Sequence, residues 1–382
     1  MIQDVKNNES VAQSTQHSHP SLQVVPGIFM LVFLVAGAVF ALTAKSTHDF
    51  PKDKDVITGE WALAYEKGFN KGLPWRQTGI NTWGAMEYLA FENGRPGVLI
   101  GKNNWLFTTE EFQFFKDEAT ETASKLKYIG QVRDQLAAQG SQLVVALIPA
   151  KARVYEDHLG RYPLPEYTQN RYASFRDALL KAGIQTPDLL TPLQQSKASG
   201  EVFLHTDTHW TPYGAEVVAQ ALKTQLDSLN LDLPSTAFET RDGEEIQHSG
   251  DLLKYIPLGS FQDRGPQPDR FTEKVTEQAA SDSSALLGDA PEDASESLLG
   301  GDESIPIALV GTSYSFMEKF HFEGALKQAL QVDVLNMALE GKGPLIPMRD
   351  YLNSSAFKDT PAKVVVWEIP ERFIPVKYDL GK

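Results

Sequence analysis

Short apolar runs at residues 143–148 (LVVALI), 305–310 (IPIALV), 332–337 and 363–369 set the terms for any fold of this chain. A strand with one face in water alternates polar and apolar side chains. LVVALI does not alternate, so both of its faces must be covered. The cover is written beside the runs. Residues 119–139 place Leu126, Ile129, Val132 and Leu136 on one helical face, with Gly140 where a helix C-cap belongs. Residues 171–182 repeat the pattern and end at Gly183. After Thr211 and Pro212, a cap and a first-turn proline, Ala215, Val218, Ala219, Leu222, Leu226 and Leu229 line another face. A further helix is expected over 316–330, and short strands over 184–190 and 201–205. Strands alternating with helices predict an α/β fold, a mainly parallel sheet with helices on both faces.

Ahead of this pattern the sequence changes character. Residues 1–26 are polar, without hydrophobic period, and read as an unstructured tail. Residues 27–44 are eighteen apolar or neutral residues without a charge. With the neutral 22–26 before them they reach the ~20 residues needed to cross a bilayer, a length that favours an uncleaved transmembrane helix over the alternative, a cleavable signal peptide ending in the small residues of Ala41-Leu42-Thr43-Ala44. Residues 45–58 form a charged linker, and the soluble domain is expected over 59–382, opening with a helix marked by Trp61, Tyr65 and Phe69. Residues 98–101 and 105–107 predict two short strands around a polar turn. Residues 273–303 carry nine acidic residues and one lysine, with Leu286-Leu287-Gly288-Asp289 echoed at 298–302, and read as a solvated acidic loop.

Two function classes fall away on composition. The chain has no cysteine, which removes thiolate metal sites, cysteine nucleophiles and disulfides. Its formal net charge of -15 argues against nucleic acid as a partner, because phosphate-backbone binding needs a basic face.

The densest chemistry lies at His205-Thr206-Asp207-Thr208-His209. In an extended chain residues two apart share a side, so these three titratable groups can converge. They can do so as metal ligands, two imidazoles and a carboxylate. Alternatively, Asp207 and His209 are two parts of a nucleophilic triad that needs a serine on a tight turn. Ser313 meets that need: an apolar strand runs into Gly311-Thr312-Ser313-Tyr314-Ser315 and then a helix, the pattern of a nucleophile elbow. Serine is a weak nucleophile until an imidazole takes its proton and a carboxylate fixes the imidazole tautomer. Both motifs end predicted strands, where sites in open parallel sheets gather.

These residues carry a resemblance. Asp207-Thr208-His209-Trp210-Thr211-Pro212-Tyr213-Gly214 and Val310-Gly311-Thr312-Ser313-Tyr314-Ser315 resemble the signatures of the alginate O-acetyltransferase family of AlgJ and AlgX, whose catalytic domain is SGNH-hydrolase-like. Residues 101–107, 148–155 and 367–373 resemble three further blocks of that family, in the same order. The Asp-His pair precedes the serine, as in the permuted order of that family. With its anchor and no room for a carbohydrate module after the closing block, the chain is closer to the AlgJ branch.

The resemblance implies Ser313 as nucleophile, His209 as general base and Asp207 as its orienting acid, with His205 structural. It implies acetyl transfer to hydroxyls of an alginate-like exopolysaccharide, without metal or cofactor. The expected partners are a membrane-bound O-acyltransferase that supplies acetyl groups and other polysaccharide acetylation proteins. The expected location is the inner membrane, single-pass, with the catalytic domain in the periplasm. Lys151, Tyr155, Lys342 and Arg372 are the candidates to hold the polymer. The backbone N–H groups of Ser313 and Gly343 are the candidates for the oxyanion. Hydrolytic deacetylation by the same triad and a non-enzymatic polysaccharide scaffold are the competing readings.

Overall fold

The computed structural model describes residues 20–43, 45–73, 75–279 and 305–378. Among them are eight strands: β1 (Val98–Ile100), β2 (Leu106–Thr108), β3 (Gln142–Ile148), β4 (Phe238–His248), β5 (Asp269–Gln278), β6 (Ile307–Val310), β7 (Val334–Asn336) and β8 (Val364–Pro370). The apolar runs pair as one sheet in the order β3-β8-β6-β7, and every pairing is parallel. Their alternate residues separate cleanly. Val144, Ala146, Ile148, Ile307, Leu309, Val364 and Val366 enter a core with helices Pro212–Asp227 and Phe322–Leu330. Leu143, Val145, Leu147, Ala308, Val310, Val365 and Trp367 enter a second core with helices Glu118–Ala138, Arg171–Lys181 and Leu345–Asn353. Each Val, Leu or Ile among them, fully buried, contributes about 1.5–3 kcal/mol relative to exposure. The one polar atom of Trp367 is satisfied, its Nε1–H donating to Pro344 O at 2.9 Å.

Several expectations need correction. Residues 201–205 are not a strand of the sheet. Val202, Phe203 and Leu204 are buried, but their backbone pairs with its own continuation through the Phe203–Trp210 bridge. Residues 184–190 contribute only a bridge between Gln185 and Val144. The helix expected over 316–330 is two, Ser313–Phe316 and Phe322–Leu330, separated at His321, whose φ is 66°. Glu273 to Gln278, expected as loop, complete β5, which pairs antiparallel with β4; the rest of the acidic loop, from 280, lies outside the described residues.

The chain divides into two compact units at Trp83/Gly84, later than the boundary expected near 59. The cause is that helix α2 (Glu60–Gly72), although amphipathic, buries none of its residues. It follows helix α1 (Pro20–Thr43), which contains the apolar span Val24–Thr43, long and apolar enough to cross a membrane. Residues 20–26 of the expected tail belong to that helix, and residues 1–19 lie outside the described residues. Helix α3 (Arg76–Phe91) runs through the boundary between the units.

Candidate active site

The site forms where β6 ends. Val310 gives way to Gly311, extended Thr312, and Ser313 at the start of a four-residue helix. Glu368, fully buried on neighbouring β8, holds this turn from beneath. Its carboxyl accepts from Thr312 N–H at 2.6 Å, from Thr312 Oγ1 at 3.0 Å and from Ser315 Oγ at 3.1 Å. A Cβ at Gly311 would come within 2.4 Å of Glu368 Oε2, so only glycine fits. Burial pushes the Glu368 carboxyl up to about 7 against the hydrogen bonds from Thr312 and Ser315 and the charge of Arg372.

Asp207 and His209 arrive on the tip of the local hairpin. Leu204 N–H donates to His209 O at 3.1 Å and Thr211 N–H to Val202 O at 3.1 Å, which closes the loop between them. Thr211 then caps the next helix by accepting from Gly214 N–H at 3.0 Å. A Cβ at Gly214 would meet Val202 O at 2.0 Å, so this close approach also requires glycine.

His209 Nε2 lies 2.7 Å from Ser313 Oγ, and His209 Nδ1 lies 2.6 Å from Asp207 Oδ1. The imidazole is stacked on Phe320 at 4.6 Å and flanked by Tyr314 at 4.6 Å, so its plane is fixed. Both His209 and Asp207 are buried, while Ser313 is partly open to solvent.

Asp207 is more heavily engaged than sequence reasoning suggested. Its Oδ1 also accepts from His209 N–H at 2.9 Å, and its Oδ2 accepts from Asp251 N–H at 3.0 Å. His248, the last residue of β4, places Nε2 2.7 Å from the same Oδ2. On its other side, His248 Nδ1 lies 3.4 Å from Lys319 Nζ. An ammonium can only donate, so Nδ1 accepts and the His248 proton sits on Nε2, aimed at Asp207. Burial raises the Asp207 carboxyl, but hydrogen bonds from His209 and His248 outweigh it and hold the group well below the usual carboxylate range. The Asp251 side chain accepts from Thr208 N–H at 2.9 Å and Thr208 Oγ1 at 2.8 Å.

The carboxylates of Asp207 and Asp251 and the imidazole of His209 lie within 4.8 Å of one another, close enough to suggest a metal. Asp207 and His209 instead spend their lone pairs and protons on the hydrogen bonds just given, which leaves the Asp251 carboxylate as the one group of the three with lone pairs to spare, too few to hold an ion. The trio expected from sequence does not assemble either. His205 pairs with Glu201 at 2.7 Å, with its ring 4.2 Å from Trp105.

The candidate polymer contacts fare unevenly. Lys151 is only 1% exposed, and its ammonium donates to Leu106 O at 2.6 Å, Asp207 O at 2.9 Å and His205 O at 3.0 Å. It holds the Asp207 loop in place and has no donor left for a ligand. Burial brings it down to about 8, opposed by Asp269, Glu111, Asp207 and Asp251. Tyr155 is buried too; its hydroxyl accepts from Val202 N–H at 3.0 Å, and burial pushes it up to about 12. Arg372 is buried with its guanidinium 5.5 Å from the centre of the Tyr314 ring and 3.4 Å from Glu110. Lys342 is exposed. Gly343 has φ 65° and lies against Tyr378. His248, Asp251 and Glu368 were missed by sequence reasoning.

The family described as an SGNH hydrolase-like domain, acetyltransferase AlgX, matches residues 98–371. A protein named probable alginate O-acetylase AlgJ from Pseudomonas aeruginosa is 42% identical over 332 residues, which are 86% of this chain and 84% of that one. Its namesake from Pseudomonas syringae pv. tomato is 41% identical over 357 residues, 93% and 88% of the two chains. Among solved structures, the O-acetyltransferase domain of Pseudomonas putida AlgJ matches with a TM-score of 0.66 at 42% identity, over 75% of this chain and 95% of that one. Pseudomonas aeruginosa AlgX shares the fold, with a TM-score of 0.54 at 23% identity over 78% and 66% of the two chains.

Proposed function

The chain belongs to the SGNH hydrolase-like acetyltransferase family of AlgX and AlgJ, and on that footing we propose that it O-acetylates alginate through an acetyl-Ser313 intermediate. The observation that carries the mechanism is the unbroken chain from Ser313 Oγ to His209 at 2.7 Å and on to Asp207 at 2.6 Å. His209 Nε2 takes the Ser313 proton as Oγ attacks the acetyl carbonyl. The leaving group departs with that proton, and acetyl-Ser313 remains. A polymer hydroxyl then gives its proton to the same nitrogen and attacks the ester carbonyl; the bond to Ser313 Oγ breaks, His209 returns the proton to that oxygen, and the polymer carries the acetyl group away. Asp207 keeps Nδ1 protonated and stabilises the imidazolium. His248 and Asp251 are positioning residues that fix the second oxygen of Asp207.

Thr312 N–H is occupied by Glu368, so the Ser313 N–H is the elbow donor for the oxyanion. Gly343 is the second candidate. With Lys151 and Tyr155 committed to the fold, Lys342 is the exposed cation to meet a uronate carboxylate, and Arg372 acts through Tyr314. The anchor, the periplasmic side and a membrane-bound supplier of acetyl groups complete the reading.

Incubation with a chromogenic acetyl ester, followed by mass spectrometry of the trapped protein, tests it. The expected result is acetyl on Ser313, chased off by alginate with acetylated polymer as product. Acetyl on another residue overturns the nucleophile. Release as free acetate alone, with polymer present, converts the transferase into an esterase.

A further inference from the structure

The residues that follow the anchor have an organisation of their own. The chain leaves α1 through a 3-10 turn, Lys45–His48, and folds back on it: Thr47 Oγ1 donates to Ala41 O, and His48 Nε2 lies 2.8 Å from Leu42 O. Phe50 then stacks on Trp61 and Tyr65 of α2, with ring centres 6.2 and 5.6 Å apart. Trp61, Tyr65 and Phe69 continue as one stacked stripe along α2, and the Tyr65 hydroxyl donates to Thr47 O at 2.9 Å. Trp75 packs edge-on against Phe40 of the anchor at 5.4 Å. Phe40 lies three residues before the end of α1, so at 1.5 Å per residue Trp75 is level with the last turn of the apolar span.

This segment buries little of itself. Trp75 and Trp83 are each 59% exposed and Leu63 is 69% exposed. An exposed apolar surface of this kind marks a contact with a membrane or a protein. Three features select the membrane. The segment continues directly from a helix built to cross one. Its Trp and Tyr side chains are those that concentrate where hydrocarbon meets headgroups. Its charge also differs from that of the rest of the chain: residues 45–83 hold six Lys and Arg against five Asp and Glu, in a protein of net charge -15. An anionic lipid surface repels the acidic remainder but not this stretch.

We propose that α2 and Trp75 lie in the headgroup layer of the membrane face at which α1 emerges, with lipid as their occupant. The proposal rests on reading α1 as an anchor. It makes the residues after the anchor an interfacial clamp in place of a free linker.

The six tryptophans allow a direct test, because Trp105, Trp210 and Trp367 are buried in the second unit. Full-length protein is reconstituted into phosphatidylcholine–phosphatidylglycerol vesicles whose acyl chains are brominated near the headgroup, and then floated. The expected result is that floated protein loses the emission of Trp61 and Trp75. A Trp75→Phe protein should lose less, and a Trp61→Phe/Trp75→Phe/Trp83→Phe protein should show no quenching. Floated wild-type protein with full emission overturns the proposal and leaves the patch to a protein partner. Equal quenching in the triple variant overturns it as well. Failure to float removes the anchor reading, and the proposal with it.

Discussion

Asp207→Asn tests the site more severely than removal of the Ser313 hydroxyl, because the side chain keeps its shape and loses only its charge and half its acceptors. The carboxylate takes four donors, His209 N–H and Nδ1–H on Oδ1, and His248 Nε2–H and Asp251 N–H on Oδ2. An amide retains one oxygen, so two donors face an NH2 group whichever way it turns. With nitrogen at Oδ1, His209 Nδ1 must accept, its proton moves to Nε2, and no base faces Ser313. With nitrogen at Oδ2, the Asp251 N–H is stranded and His248 must turn a proton toward Lys319. At about 1.5–3 kcal/mol per hydrogen bond to a charged group, the variant loses about 3–6 kcal/mol of stability. The negative charge that stabilises the imidazolium is gone in both orientations. The turnover number for a chromogenic acetyl ester should therefore fall on the order of 10⁴-fold, about 5 kcal/mol of barrier. The pH dependence of melting gives a second readout. A carboxyl depressed in the folded state contributes stability that is present above its unfolded value of about 3.9 and lost as pH falls toward the folded one. Wild-type protein should lose melting temperature more steeply than the variant below about pH 4. A variant that melts like wild type and turns over within tenfold of it would refute the assignment.

Four further perturbations follow from the same contacts. His248→Ala should lower kcat about 10–100-fold with little change in KM, the equivalent of one hydrogen bond to a charged group, and His248→Gln should recover part of it. Glu368 is raised to about 7 by burial, so the folded state holds its proton where the unfolded chain has lost it. Its contribution to stability should thus fall by about 3 kcal/mol as pH rises from about 4.5 to about 7, and chemical denaturation of Glu368→Gln should show a pH slope smaller by that contribution. Gly311→Ala places a methyl against Glu368 and should cost about 1–3 kcal/mol in denaturation and lower kcat through the displaced elbow. Lys151→Met strands the carbonyls of Leu106 and Asp207 at about 1–3 kcal/mol each, while His205 O keeps the Leu106 N–H, so its melting temperature should drop sharply, whereas a polymer-binding lysine would have changed KM alone.

The central sheet was legible because burial on both faces leaves a signature that needs no partner to be read. β3, β6 and β8 are apolar at successive positions, and their neighbours are helices with a 3.6-residue period. The β4–β5 hairpin has no such signature. FETRDGEEIQH is largely polar, only its first residue is buried, and its register depends on pairing with β5. His248 ends that strand, so nothing local marks it as a partner of Asp207, 41 positions away. Residues 201–205 misled in the opposite direction. Their apolar middle satisfies a core, but the backbone bonds of that stretch return to residues 209–211. Lys151 looked like a surface cation because burial of an ammonium is decided by carbonyls distant in sequence, here at positions 106, 205 and 207.

The order of motifs along the chain matters less to this site than the order of strands in space. The Asp-His pair precedes the serine, which in a linear reading separates them by 104 residues. In the sheet, β6 delivers Ser313, and β8 beside it delivers Glu368 beneath the elbow and Arg372 over Tyr314. β3, on the far side of β8, delivers Lys151 just past its end. Lys151 grips the carbonyls of His205 and Asp207, so the loop carrying His209 is tied to the same sheet edge that presents Ser313. Parallel pairing brings every carboxyl-terminal strand end to one edge. A hydroxyl, an imidazole and a carboxylate can therefore meet there from widely spaced segments.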